Sequence, residues 1–104
     1  MSALRCVVLG AGLMGRLMAY ALAQQGHHVQ VHEARGTDAT GAAARVAAAM
    51  LAPLAESAIT ETSVVRMGHY AMGRWQDLLR EFPEPVFSQR QGSLIVWHRQ
   101  DAPL

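Results

Sequence analysis

A glycine-rich turn between an apolar run and an amphipathic stretch constrains this chain more than any other feature. Residues 5–15 read R-C-V-V-L-G-A-G-L-M-G, in which three glycines follow G-x-G-x-x-G spacing. This pattern predicts a strand over 4–9, a tight turn and a helix over 13–25. Such a turn offers bare backbone and a helix N-terminus to a pyrophosphate. The predicted dinucleotide-binding residues are Gly10, Ala11, Gly12, Leu13, Met14 and Gly15.

A second strand and an acidic residue complete this pattern. Gly26 ends the predicted helix, and residues 28–33 alternate apolar and polar side chains as a half-buried strand does. Two strands joined by so short a helical crossover predict a right-handed βαβ unit with parallel strands. Glu33 ends the second strand, where an acid binds the ribose hydroxyls of a dinucleotide. Ala34 and Arg35 follow it, and the acid argues against a 2′-phosphate beside Arg35.

The remaining sequence predicts a loop, a long helix and a hairpin. Residues 34–41 are turn-rich, and 42–55 are mostly small and apolar, with Pro53 limiting any helix there. A helix is predicted over 63–82, with Thr60, Thr62 and Ser63 as possible N-caps and Pro83 and Pro85 beyond its end. Short strands over 86–89 and 93–98 around Gln91-Gly92 predict a β-hairpin. The expected fold is therefore α/β, Rossmann-like, with an incomplete parallel sheet.

Composition excludes several classes of function. The net charge of +1 gives no electrostatic basis for binding nucleic acid or an anionic membrane. Cys6 is the only cysteine, so an intrachain disulfide and a metal site of paired cysteines are excluded, which suits a reducing compartment. The neighbouring His27 and His28 would point to opposite sides of a strand, and we expect no metal there. Without a recognisable signal peptide or membrane span, the expected location is cytoplasmic.

The glycine motif resembles two families. V-V-L-G-A-G-L-M-G and the later G-H-H-V are similar to NAD-dependent hydroxy-acid and hydroxyacyl dehydrogenases, and also to FAD-dependent oxidases. Residues 41–56, G-A-A-A-R-V-A-A-A-M-L-A-P-L-A-E, resemble the second signature of the D-amino-acid oxidase and glycine oxidase family. G-S-L-I-V-W-H near the end is similar to a strand of that family. The stretch 42–52 also has an alternative interpretation as an ordinary alanine-rich helix.

The second resemblance implies FAD as the cofactor, with NAD as the alternative. It implies that the glycine turn holds the pyrophosphate and Glu33 the adenosine ribose. It also implies that a small-residue stretch lies along the isoalloxazine, with Met50 towards the substrate. The family prefers glycine where this chain has Ala49, a difference that matters if the backbone there requires positive φ. The residues implied to contact the flavin ring are Ala47, Ala48, Ala49 and Met50.

The implied reaction is oxidative deamination, with hydride transfer from a small amino acid or amine to flavin N5 and reoxidation by dioxygen. No catalytic acid or base is identifiable in the sequence. Members of the family are several times longer, so residues 1–104 are expected to be one partial FAD-binding domain without its substrate domain, inactive alone. Three explanations of the short length are open: the chain is a fragment of a longer oxidase, a subunit of a split enzyme, or a stand-alone nucleotide-binding domain. Open sheet edges predict self-association or a partner chain. The alternatives are an NAD-dependent dehydrogenase domain and a non-catalytic interaction domain.

Overall fold

The computed structural model describes residues 2–101. The chain divides into two compact units, one ending at Met50 and the other beginning at Leu51. The expectation of a single partial domain stays a prediction. Among the described residues, no helix has the length and apolar character needed to cross a membrane.

The first unit is built on a βαβ motif. Strand β1 (Arg5–Leu9) and strand β2 (His28–His32) are parallel neighbours, joined by helix α1 (Leu13–Gln24). The register pairs Arg5 with His28 and Leu9 with His32, so the two strands end together at the glycine turn. This confirms the predicted strand–helix–strand order and the parallel pairing, which form a small Rossmann-like α/β unit.

The two faces of this sheet differ in their exposure. Cys6 and Val8 are half-buried and lie on the face that α1 contacts, while the alternate residues Val7 and Leu9 are 61% and 83% exposed. The strand is therefore apolar on both faces, as the sequence predicts for a strand of a parallel sheet, but only one face is covered within the described residues.

Helix α1 ends in a Schellman motif. The Gly26 N–H donates to the Ala23 carbonyl at 2.9 Å, and the His27 N–H donates to the Leu22 carbonyl at 3.2 Å. These two bonds satisfy carbonyls that the end of a helix leaves free. The His27 Nδ1 in turn accepts from the Leu4 N–H at 3.2 Å, so the end of α1 is fixed beside the start of β1.

Turns occupy the chain after β2. Residues 34–41, which we call the post-β2 loop, form consecutive turns as predicted. A single 3₁₀ turn over Ala43–Arg45 follows, and residues 47–52 are irregular. The alternative of an ordinary alanine-rich helix over 42–52 is therefore wrong, since one short turn is all that forms.

Helix α2 (Thr62–Glu81) dominates the second unit and confirms the predicted long helix. Its N-cap is Glu61, without a side-chain cap bond, so none of the three predicted capping residues fills that position. Gly68 packs on Pro53, because a Cβ built at Gly68 would lie 2.9 Å from the Pro53 Cβ. The half-buried positions of α2 recur at helical spacing, at Val65, Gly68, Ala71, Met72, Trp75, Gln76, Leu78 and Leu79.

The predicted β-hairpin is wrong. Within the described residues, 83–98 contain no strand, and a 3₁₀ turn over Arg99–Asp101 follows. An isolated two-stranded hairpin is marginally stable in water unless one face is buried. Here the apolar side chains remain open, with Leu94 at 87% and Val96 at 78% exposure. Local β-propensity therefore has no burial to support it.

Candidate functional site

The glycine turn begins at the end of β1 and is tied to the end of β2. Gly10 has φ +98, a backbone conformation that residues other than glycine rarely adopt. Its N–H donates to the His32 carbonyl at 2.7 Å, which continues the hydrogen bonding of the parallel pair into the turn. The chain can therefore reverse sharply at the carboxyl edge of the sheet, where ligands of open α/β sheets bind.

Close packing explains Gly15. A Cβ built there would overlap the carbonyl oxygen of Gly10 and would lie 3.4 Å from a methyl group of Val8. No rotamer change relieves this overlap, because the contacted atom belongs to the backbone. Gly15 therefore lets α1 approach the turn and β1.

The N-terminus of α1 leaves its donors open. Gly12 is the N-cap, with no side-chain cap bond, and the first turn of α1 contains no acid. The first intrahelical bond runs from the Arg16 N–H to the Gly12 carbonyl at 3.0 Å. The N–H groups of Leu13, Met14 and Gly15 precede it and have no intrahelical acceptor. Together with the helix dipole, they suit a phosphate group.

Glu33 lies directly against the glycine turn. Its Oε2 accepts from the Ala11 N–H at 2.7 Å, and its Oε1 accepts from the Arg35 N–H at 3.1 Å. The hydrogen bond from Ala11 lowers the pKa of Glu33 most, and the bond from Arg35 and the charge of Arg16 act in the same direction. Glu33 is thus ionised at neutral pH. Because each carboxylate oxygen accepts more than one bond, it keeps capacity for ribose hydroxyls.

Arg35 and Ala34 follow in the post-β2 loop. Ala34 is exposed. The Arg35 side chain crosses the backbone of Gly41, because a Cβ there would lie 2.9 Å from the Arg35 Cδ and 3.2 Å from its Nε. Gly41 thus gives room to the arginine. The structure brings Ala11, Glu33 and Arg35 together through the hydrogen bonds of the Glu33 carboxylate, and their role in binding a cofactor stays a prediction.

Arg16 is a site residue that the sequence analysis missed. Its Nε donates to the Ala11 carbonyl at 2.7 Å, and its Nη2 donates to the Thr37 carbonyl at 2.6 Å. The guanidinium therefore joins the glycine turn to the post-β2 loop. The only sequence signal is a cation directly after Gly15, at the start of α1, where charge preference alone would disfavour it.

The stretch from Ala47 to Met50 is exposed and irregular. Ala49 has φ +56, which is unfavourable for a residue with a Cβ. Met50 is 67% exposed. In the described part of the chain, no hydrogen bond connects this stretch to the glycine turn. Its assignment to the flavin ring stays a prediction.

The residues present fit a dinucleotide. Gly10 allows the sharp turn and Gly15 the close approach of α1, the α1 N-terminus has open donors, and an ionised Glu33 lies beside it. Across residues 2–101, no group of three or more metal-ligating side chains is close enough to hold a metal ion. The site is therefore suited to a pyrophosphate and a ribose.

Comparison with known proteins agrees with this chemistry. The family described as FAD dependent oxidoreductase (DAO) matches residues 5–104. No curated protein and no solved structure matches the chain. The family match covers β1, the glycine turn and everything that follows. The chain belongs to the FAD-dependent oxidoreductase family.

Proposed function

We propose that this chain supplies the FAD-binding part of an oxidase of the D-amino-acid oxidase and glycine oxidase type. The observation that carries the proposal is the 2.7 Å bond between the Ala11 N–H and the Glu33 carboxylate. It places an ionised acid beside a turn suited to pyrophosphate. One ligand with a pyrophosphate and an adenosine ribose would engage both. Family membership favours FAD over the NAD-dependent alternative.

The assignment to amine oxidation rests on the small-residue stretch. A-A-A-M-L-A-P over 47–53 resembles the family signature beside the flavin, in which glycine is preferred at the position of Ala49. Ala49 has the positive φ that glycine adopts readily. The backbone therefore has a glycine-like conformation where the resemblance implies one, although the side chain differs. This supports the D-amino-acid oxidase type among FAD-dependent oxidoreductases.

Each group of residues has a separate task in this proposal. The N–H groups from Gly12 to Gly15 bind the pyrophosphate, because those of Gly10 and Ala11 already donate to His32 and Glu33. Glu33 accepts the ribose hydroxyls. Ala47, Ala48, Ala49 and Met50 lie along the ring system. When bound, the flavin accepts a hydride from the α-carbon of an amino acid or amine and passes the electrons to dioxygen. The protein orients the ring and shields it from water.

Shielding is incomplete in the described residues. Met50, on the expected substrate side, is 67% exposed. An oxidation site works in a water-excluded pocket. We therefore propose that the 104-residue chain binds the cofactor without turnover and that further sequence or a second subunit provides the substrate site.

A ligand titration tests this proposal. The purified chain is titrated separately with FAD, FMN and NADH, and binding is followed by flavin and nicotinamide fluorescence. We expect FAD to bind more tightly than FMN, because FMN lacks the adenosine that Glu33 recognises. Tighter binding of NADH would instead support the dehydrogenase alternative. Absence of binding by all three would support a non-catalytic interaction domain.

A further inference from the structure

Two backbone segments meet at one guanidinium beside the proposed adenosine site. Arg16 donates through Nε to the Ala11 carbonyl at 2.7 Å and through Nη2 to the Thr37 carbonyl at 2.6 Å. The first acceptor lies in the glycine turn and the second in the post-β2 loop. Only a planar guanidinium offers two such donors in a fixed arrangement. The donors of a lysine are all on one nitrogen, which cannot occupy the positions of both Nε and Nη2.

The same contacts enclose Glu33. Ala11 is 7% exposed, and both peptide groups next to it are fixed, one N–H by Glu33 and one carbonyl by Arg16. On the other side, Glu33 accepts from the Arg35 N–H, two residues before the carbonyl that Arg16 holds. Glu33 is therefore located between two segments that Arg16 joins.

A second arginine fixes the outer side of the post-β2 loop. The Arg45 Nη1 donates to the Asp38 carbonyl at 2.9 Å, next to the Thr37 carbonyl. Ala39 follows with φ +50 and 3% exposure, so the loop is folded tightly. Arg45 touches neither Ala11 nor Glu33 through a hydrogen bond. Of the two arginines, Arg16 alone connects the loop to the glycine turn through hydrogen bonds in the described residues.

We propose that Arg16 is a positioning residue that fixes the post-β2 loop to the glycine turn and so holds Glu33 in place for the adenosine ribose. The proposal rests on the FAD binding proposed above. Arg16 need not touch the nucleotide. Its effect passes through the Ala11 and Thr37 carbonyls, which set the relative position of the two segments.

Variants at Arg16 separate its geometry from its charge. Arg16→Gln removes both the positive charge and the paired Nε and Nη2 donors. Arg16→Lys keeps the positive charge and loses the paired donors. Arg5→Gln is the control, because it removes the same charge at the start of β1, away from the turn, and the Arg5 side chain makes no hydrogen bond or ion pair among residues 2–101. Circular dichroism establishes that each variant retains its helices.

Hydrogen exchange without ligand measures how well the amides of the post-β2 loop are protected. We expect the Arg35 and Ala39 amides, which donate hydrogen bonds in this loop, to exchange about tenfold faster in both Arg16 variants, which corresponds to about 1.4 kcal/mol. Exchange in α2 and throughout Arg5→Gln should match the wild type. Unchanged exchange of 34–41 in both Arg16 variants would overturn the proposal, whether or not FAD binds.

FAD titration measures how the Arg16 variants change the affinity for the nucleotide. We expect both Arg16 variants to bind FAD about tenfold more weakly than the wild type and Arg5→Gln. Normal FAD affinity in both variants would reject the positioning role. If the wild type itself fails to bind FAD, the proposed function fails, and with it the nucleotide part of this inference. The exchange experiment still decides whether Arg16 fixes the loop.

The pH dependence of FAD affinity distinguishes positioning from general stability. In the described part of the chain, Glu33 is approached by Arg16 from α1 and by the Arg35 N–H from its own loop, and His32 precedes it on β2. The Ala11 N–H lowers the pKa of Glu33 most, so loosening of that contact in both Arg16 variants should move the acid limb of FAD affinity to higher pH. A merely structural role would leave this limb unchanged in both variants.

Discussion

At the scale of single residues, Ala49 has an unfavourable conformation. Its φ of +56 places a Cβ in the left-handed region, which costs about 1–2 kcal/mol. The position falls where the resembling family prefers glycine. The sequence therefore pointed to the residue, and the structure identifies the backbone conformation that makes the difference important.

Replacing this alanine should stabilise the protein. We expect Ala49→Gly to raise the free energy of unfolding by about 0.5–1 kcal/mol, because relief of strain exceeds the added entropy of the unfolded chain. Urea denaturation measures the change. Ala48→Gly is the control, because its φ is not positive, and we expect it to lose up to about 1 kcal/mol. Equal effects of the two substitutions would refute the strain at Ala49.

Glu33 should make stability depend on pH. Its pKa in the folded chain lies below the ordinary value of 4.5, chiefly because the Ala11 N–H donates to it. Its contribution is therefore complete above pH 4.5 and is lost as the pH falls through the lowered pKa. In Glu33→Gln the new amide N–H₂ would face the Arg35 N–H, donor against donor, so we expect lower stability near neutral pH.

Denaturation near neutral pH and well below pH 4.5 measures this difference. The difference in the free energy of unfolding between wild type and Glu33→Gln should become smaller at the lower pH. Glu84→Gln serves as the control, because Glu84 is exposed and has no hydrogen bond or ion pair within residues 2–101. A gap that remains constant with pH would contradict a role for the ionised carboxylate.

At the scale of elements, β1, α1 and β2 could be predicted because each has a local signal. The apolar run, the glycine spacing and the alternation over 28–33 all report structure that forms between near neighbours. The hairpin over 86–98 had a local signal too, but strand pairing requires burial that sequence periodicity does not report. The hydrogen bonds that Arg16 makes to the glycine turn and the post-β2 loop could not be predicted together. The second bond depends on where the folded loop places the Thr37 carbonyl.

The close packing of α1 on the glycine turn can be tested by substituting Gly15. We expect Gly15→Ala to destabilise the protein by about 1–3 kcal/mol, because its Cβ would displace α1 from the Gly10 carbonyl. Gly73→Ala in α2 is the matched control, because a Cβ there meets nothing within 4 Å, and we expect a gain of about 0.4–1 kcal/mol. Thermal unfolding followed by circular dichroism compares them. Tolerance of Gly15→Ala would contradict the close approach.

At the scale of the whole molecule, apolar surface remains open. Val7 and Leu9 point away from the face that α1 covers and are 61% and 83% exposed. In residues 2–101 the sheet has two strands, so each also has an unpaired edge. Open edges and apolar faces favour pairing with another chain. We propose that the chain associates with itself through this sheet.

Light scattering after gel filtration tests self-association. We expect the measured mass of the wild type to exceed that of a monomer and to rise with concentration. The Leu9→Lys variant should have a mass closer to that of the monomer. Val46→Lys is the control, because Val46 is 90% exposed but lies outside the sheet. A wild-type protein that stays monomeric at all concentrations, or equal effects of the two lysines, would exclude this surface.

The hydrogen bonds between Glu33 and Ala11 and between Arg16 and Thr37 also bear on the order of events during synthesis. They join residues 22 and 21 positions apart, and every residue of the glycine turn and its acid precedes Met50. Short loops close with a small entropic penalty, and local contacts form early in folding. We therefore expect the glycine turn, Glu33 and Arg16 to come together before α2 is synthesised, so that FAD can bind before the rest of the chain folds.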